Sequence, residues 1–105
     1  MYQSKLSNQE IDHLFEAILT LETQEDCYRF FEDLCTVHEI QSMAQRMEVA
    51  RQLDEKKTYN HIAENTGAST ATISRVRRSL DYGADGYRRV LNRIRDNGAA
   101  QKEEE

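Results

Sequence analysis

The chain has 105 residues, a length that fits one domain, with no proline, four glycines and 31% charged residues. That composition disfavours an all-β sandwich and suits an all-α domain. Apolar residues make up 38%, lean for a chain of this size, which buries only about two-thirds of its unfolded surface, so a homodimer is expected. The net charge of −5 at first opposes DNA binding, but it is unevenly spread. Residues 1–45 hold two basic and nine acidic groups, net −7; residues 46–95 hold eleven basic and six acidic, net +5; residues 96–105 hold one basic and four acidic, net −3. DNA responds to the local basic face within a Debye length rather than to the whole-chain charge.

Six helical segments can be read in order. Ser7-Asn8-Gln9-Glu10 has the spacing of a capping box and opens a helix that carries Ile11, Leu14, Phe15, Ile18 and Leu19 and ends near Leu21. Acidic residues inside this apolar stretch make it neither a signal peptide nor a membrane span, and a cytoplasmic protein without a membrane partner is expected. Thr23-Gln24-Glu25-Asp26 resembles an N-cap with acids in the first turn, and its helix directs Cys27, Phe30, Phe31 and Leu34 inward. Thr36-Val37-His38-Glu39 is a second capping box, opening a long helix with Ile40, Met43, Met47, Ala50 and Leu53 on one face. After the polar break Asp54-Glu55-Lys56-Lys57, a short helix from about Thr58 to Asn65 and another from about Thr70 to Leu80 flank the turn Thr66-Gly67-Ala68-Ser69. Asp85 can cap a last helix with Tyr87, Val90, Leu91 and Ile94 inward, closed by Asn97-Gly98. Residues 1–98 are therefore expected to form a single domain, and 99–105 an acidic disordered tail.

Catalysis finds no footing. There is no glycine-rich phosphate loop and no Cys-His or Ser-His arrangement, and Asp81 and Asp85 read as caps beside a turn. Cys27 and Cys35 lie eight apart, about 12 Å along one helix, too far for a disulfide. With His13, His38 and His61 scattered, they make no zinc pattern, so neither a metal nor a cofactor is expected.

The informative stretch is YNHIAENTGASTATISRVRRSL, Tyr59 to Leu80, which has the pattern of a helix-turn-helix over about 58–80. Ala63 is small where the two helices would cross, Gly67 stands where the turn needs positive φ, and Ile62, Ile73 and Val76 fall at the buried positions. The second helix begins with small polar residues, Ser69, Thr70, Ala71 and Ser74, which let a helix end approach base edges. Arg75, Arg77 and Arg78 follow, suited to phosphates or guanine, and Asn60 can reach the DNA backbone from the first helix. Arg88, Arg89, Arg93 and Arg95 read as a solvated face of the last helix. The same hairpin could instead belong to a helical protein-interaction module that does not bind DNA.

From Thr36 to Leu80 the chain resembles the tryptophan-repressor family, in its YerC/YecD-type branch, most closely in TVHEIQSMAQRMEVARQL and in GASTATISR. The resemblance implies a six-helix fold, an intertwined homodimer and a transcriptional regulator, a repressor, that reads a palindromic operator in double-stranded DNA with half-sites about one helical turn apart. In the repressors an amino-acid corepressor lies between two arginines. Arg46 and Arg75 match these, and Thr36, Thr72 and Ser79 match polar groups around the ligand. One departure opposes a tryptophan-responsive repressor: the family has glycine after the second arginine, and this chain has Val76, whose side chain would fill the space left for the indole.

Overall fold

The structure is a computed structural model; it describes residues 2–104, with side chains for 2–98. Six helices follow one another: α1 (Gln9–Ile18), α2 (Gln24–Leu34), α3 (Val37–Asp54), α4 (Tyr59–Thr66), α5 (Thr70–Tyr82) and α6 (Gly86–Glu104). There is no strand among the described residues. The chain falls into two compact units, Met1–Ile40 and Gln41–Glu105.

In the first unit each helix start is fixed by a side chain that satisfies an otherwise unpaired amide. The cap of α1 is Asn8 rather than Ser7: its Oδ1 accepts from the Ile11 amide at 2.8 Å. The helix stops at Ile18, short of Leu21, because its last turn tightens. The Leu21 amide bonds the Ile18 carbonyl at 3.1 Å, and the Thr20 hydroxyl donates to the Ala17 carbonyl at 2.7 Å. Thr23 caps α2 as expected, accepting from the Asp26 amide at 3.0 Å. Thr36 and Glu39 form a reciprocal capping box at the start of α3. The Glu39 amide donates to Thr36 Oγ1 at 3.1 Å, and the Thr36 amide donates to Glu39 Oε1 at 2.8 Å. The bond from the Thr36 amide, followed by interaction with the Thr36 side chain, holds the Glu39 carboxyl below the usual glutamate range.

Neither α1 nor α2 buries a residue in the single chain. Phe30 and Phe31 stack edge-to-face at 5.4 Å, but Phe15, Leu19, Tyr28 and Leu34 are exposed, Leu19 at 84%. Cys27, expected inward, is exposed, since α2 offers its apolar side to no other element that covers it; both cysteines are free thiols.

The second unit holds the core. Val49, Ala50 and Leu53 of α3 meet Ile62 of α4, Ala68 of the turn, Ile73, Val76 and Leu80 of α5, and Leu91 of α6. Met47, Ala63 and Tyr87 pack against this cluster. α6 presents only one of its apolar sides to it, so Val90 and Ile94, expected inward, are exposed. Two boundaries also shift. α5 continues to Tyr82, which puts Asp81 inside the helix rather than at a cap. α6 passes through Asn97 and Gly98 to Glu104, because Gly98 does not adopt the left-handed conformation that ends helices. The side chains of residues 99–105, where a disordered tail was expected, lie outside the described residues.

Two glycines matter for different reasons. Gly67 has φ +72°, with open space around its Cβ position. Gly83 has an ordinary φ, but an added Cβ would lie 2.3 Å from the Ser79 carbonyl oxygen. Lys56 and Asp85 take the left-handed conformation without being glycine, at φ +64° and +68°.

Opposite outcomes are expected at two of the three left-handed positions, Gly67 and Lys56. Gly67→Ala lowers stability by about 1 to 2 kcal/mol, whereas Lys56→Gly raises it by up to about 1 kcal/mol, as measured by urea unfolding. For Glu39, the depressed folded-state pKa means its contribution is present above about pH 4.3 and is lost as the pH falls through the folded value. The gap in melting temperature between wild type and Glu39→Gln should therefore narrow on acidification below that pH; a gap unchanged down to pH 3 contradicts the capping role.

Candidate nucleic-acid interface

The α4–α5 pair is held by bonds that the hydrophobic pattern alone does not specify. Thr58 caps α4, accepting from the His61 amide at 3.2 Å. At the other end the Gly67 amide bonds the Ala63 carbonyl at 2.9 Å. The Thr66 hydroxyl donates to the Ile62 carbonyl at 2.7 Å and accepts from the Ala68 amide at 3.1 Å. Gln45 reaches across from α3 and donates to the Thr66 carbonyl at 3.1 Å. The turn of three residues, 67–69, is thus pinned to α3 as well as to α4, and its Ala68 is buried.

Ser69 caps α5. Its hydroxyl accepts from the Thr72 amide and donates to Thr72 Oγ1, both at 3.1 Å. Ser69 is thereby committed inside the protein, unlike its neighbours: the Thr70 and Ser74 hydroxyls make no side-chain hydrogen bond among the described residues, and both residues are exposed. Ile73, Val76 and Leu80 bury one side of α5. At 100° per residue, Ala71, Ser74, Arg75 and Arg78 fall on the opposite side, with Thr70 at its edge. Asn60, Ser69, Thr70, Ala71, Ser74, Arg75, Arg77 and Arg78 are all exposed, so every expected DNA-facing residue is on the surface.

The arginines divide by partner. Arg75, Arg78, Arg46 and Arg93 have no acidic group within 4 Å among the described residues. Arg77 donates from Nε to Asp81 at 3.0 Å. Arg88 spans Asp81 and Asp54, each at 3.4 Å, and Arg95 reaches Asp54 at 3.1 Å. Arg89 pairs with Asp85 at 3.2 Å. Arg88 and Arg95 therefore tie α6 to α5 and α3, whereas Arg89 and Arg93 stay on a solvated face. The Arg77–Asp81 pair has the i,i+4 spacing that a helix makes legible. Asp54, read as part of a polar break, gave no such sign, because its partners lie 34 and 41 residues away.

Of the five residues matched to an effector pocket, Thr36 lies in the first unit and caps α3. The other four, Arg46, Thr72, Arg75 and Ser79, lie in the second unit. Arg46 and Arg75 are exposed, and Thr72 is half-buried against the Ser69 hydroxyl. Ser79 does line a cavity of about 490 Å³, with Met47, Gly83, Ala84, Gly86, Tyr87 and Val90, but Arg46, Thr72 and Arg75 do not. Val76 is 2% exposed and belongs to the core cluster. Among the described residues no group of three metal-ligating side chains exists, and no helix is long and apolar enough to cross a membrane.

A six-helix, all-α chain with a short turn between α4 and α5 is the class of protein these features define. The family model for the Trp repressor protein matches residues 9–95. The chain is 57% identical over 96 residues to YerC of Bacillus subtilis (strain 168), covering 91% of this chain and 92% of YerC. Two crystal structures are similar at a TM-score of 0.83. One is a Staphylococcus aureus protein provisionally described as a Trp repressor, at 55% identity, covering 87% of this chain and 91% of that one. The other is a TrpR-like protein of Eubacterium eligens ATCC 27750, at 59% identity, covering 86% and 93%. The chain belongs to the Trp repressor family, in the YerC-type branch. The six-helix fold expected from the resemblance is the one observed, and the family is one of regulators, not enzymes.

Proposed function

We propose that the protein is a DNA-binding transcriptional regulator, a repressor, that acts in the cytoplasm as a homodimer and places α5 in the major groove as the second helix of a helix-turn-helix. The observation that carries this reading is the side of α5 opposite its buried seam, where small residues meet two unpaired arginines. Thr70, Ala71 and Ser74 are short enough to let the backbone approach base edges, and the Ala71 methyl suits a thymine methyl. Arg75 and Arg78 keep all their donors for phosphates or guanine. Asn60 adds a backbone contact from α4, while Ser69 serves as the cap that sets the start of α5.

Self-association is supported by the apolar side chains that one chain leaves uncovered: Phe15, Leu19 and Leu34 on the first two helices, Val90 and Ile94 on α6. Two copies present two α5 helices, so a bound sequence is expected to be a palindrome with half-sites about 10 base pairs apart or a multiple of that. Enrichment from random duplexes should return such a palindrome, and recovery of no common sequence would defeat sequence-specific regulation.

The reading includes no tryptophan corepressor. Its support is Val76, which stands at the family's glycine position with its side chain in the core, together with the failure of Arg46, Thr72 and Arg75 to line the cavity that Ser79 borders. Titration calorimetry with L-tryptophan is expected to give no binding heat up to millimolar ligand; micromolar affinity would overturn this part.

Removing the unpaired arginines should weaken binding to all duplexes. Arg75→Ala with Arg78→Ala is expected to flatten the dependence of log affinity on log salt by about 0.9 for each phosphate that is no longer neutralised. An unchanged slope and affinity on mixed-sequence DNA would count against a phosphate-binding α5.

A further inference from the structure

Arg77 lies on the DNA-facing helix of the proposed regulator, yet it differs from Arg75 and Arg78 in being already paired. Its Nε donates to Asp81 Oδ2 at 3.0 Å, one helical turn on. An exposed i,i+4 pair of this kind is ordinarily weak and transient, because both side chains can swing away. Here one partner is tied at a second point. Asp81 Oδ1 accepts from Arg88 Nη2 of α6 at 3.4 Å, and Arg88 Nη1 binds Asp54 Oδ1 at 3.4 Å. Asp54 is only 15% exposed and takes a second arginine, Arg95, at 3.1 Å. Both oxygens of Asp81 are thus used, one of them through a chain of alternating charges that runs from α5 through α6 to the end of α3. The Arg89–Asp85 pair, with both partners more than half exposed, has no such anchor.

We infer that Asp81 is a built-in counter-ion that holds Arg77 from the DNA phosphates and so limits how tightly the protein grips DNA of any sequence. The inference rests on the DNA-binding reading of α5. Its physical basis is that sequence-independent affinity grows with the number of phosphates neutralised by arginine and lysine. A fixed carboxylate on the same helix removes one arginine from that number and sets a negative charge within a Debye length of the backbone. Asp81 itself touches no base. It acts on the charge that α5 offers, through Arg77.

The test measures binding of the full-length chain to a mixed-sequence duplex across a salt series, with thermal melts to confirm that each variant folds. Asp81→Asn is expected to bind about threefold to tenfold more tightly and to steepen the salt slope by about 0.9, one additional phosphate. The double variant Arg77→Gln/Asp81→Asn should lose that gain. In the parent background Arg77→Gln should flatten the slope much less than Arg78→Gln does, a comparison that stands even if Asp81→Asn does not fold. Unchanged or weaker binding by a folded Asp81→Asn overturns the inference, as does an equal loss of slope in Arg77→Gln and Arg78→Gln. Absence of any salt-dependent binding by the parent chain would instead refute the DNA-binding reading itself.

Discussion

The arrangement turns on one seam. Ile73, Val76 and Leu80 recur at intervals of three and four along α5, and all three are buried against α3, α4, the turn and α6. Burying side chains of this size stabilises the unit by about 1.5 to 3 kcal/mol each, far more than any surface contact of the helix can offset. The seam therefore fixes the rotation of α5 about its own axis. Once that is set, the residues between the seam positions have no choice of direction, and Ala71, Ser74, Arg75 and Arg78 must face away from the core. The polar bonds around the turn complete the constraint. Gln45, Thr66 and the left-handed Gly67 determine where α5 begins, while Ser69 supplies the cap from which its register is counted.

Charge is then distributed around a face whose direction packing has already chosen. The chain is acidic overall, and its basic half contains enough carboxylates to pair many of its own arginines. Pairing is selective. α6 gives Arg88 and Arg95 to Asp54 and Arg89 to Asp85, which leaves the bare cations of α5, Arg75 and Arg78, on the side opposite the seam. A count of basic residues alone would favour α6, with five, over α5, with three. The geometry separates arginines that join helices from arginines whose donors are still unused, and only the second kind can neutralise a phosphate without first surrendering a partner.

How much of this could be read from the sequence depends on the range over which each interaction acts. Thr23 and the Thr36–Glu39 box were legible because a cap and its amide are three residues apart. Gly67 was legible because a turn between two periodic segments needs positive φ, and Ile62, Ile73 and Val76 because helical periodicity marks a buried face. The cap of α1 slipped by one residue since Ser7 and Asn8 are both good caps in adjacent positions. The inward assignments of Cys27, Val90 and Ile94 failed for another reason: periodicity reports that a face is apolar, not that something within the same chain covers it. Asp54 and Gln45 were invisible, since their partners are brought to them only by the tertiary fold.

Position 76 joins packing to regulation. A glycine there leaves a gap beside α5, and in a protein that lodges an aromatic ring between two arginines such a gap is a necessity. A valine supplies a branched side chain that the core takes up beside Ile73 and Leu80. On the proposed reading the two uses exclude each other, since a position filled by a core side chain cannot also be a gap. With Val76 in the seam, α5 is held by its own apolar contacts. On the proposed reading, what α5 offers to DNA is set by the charges on its surface, where Asp81 and Arg77 meet.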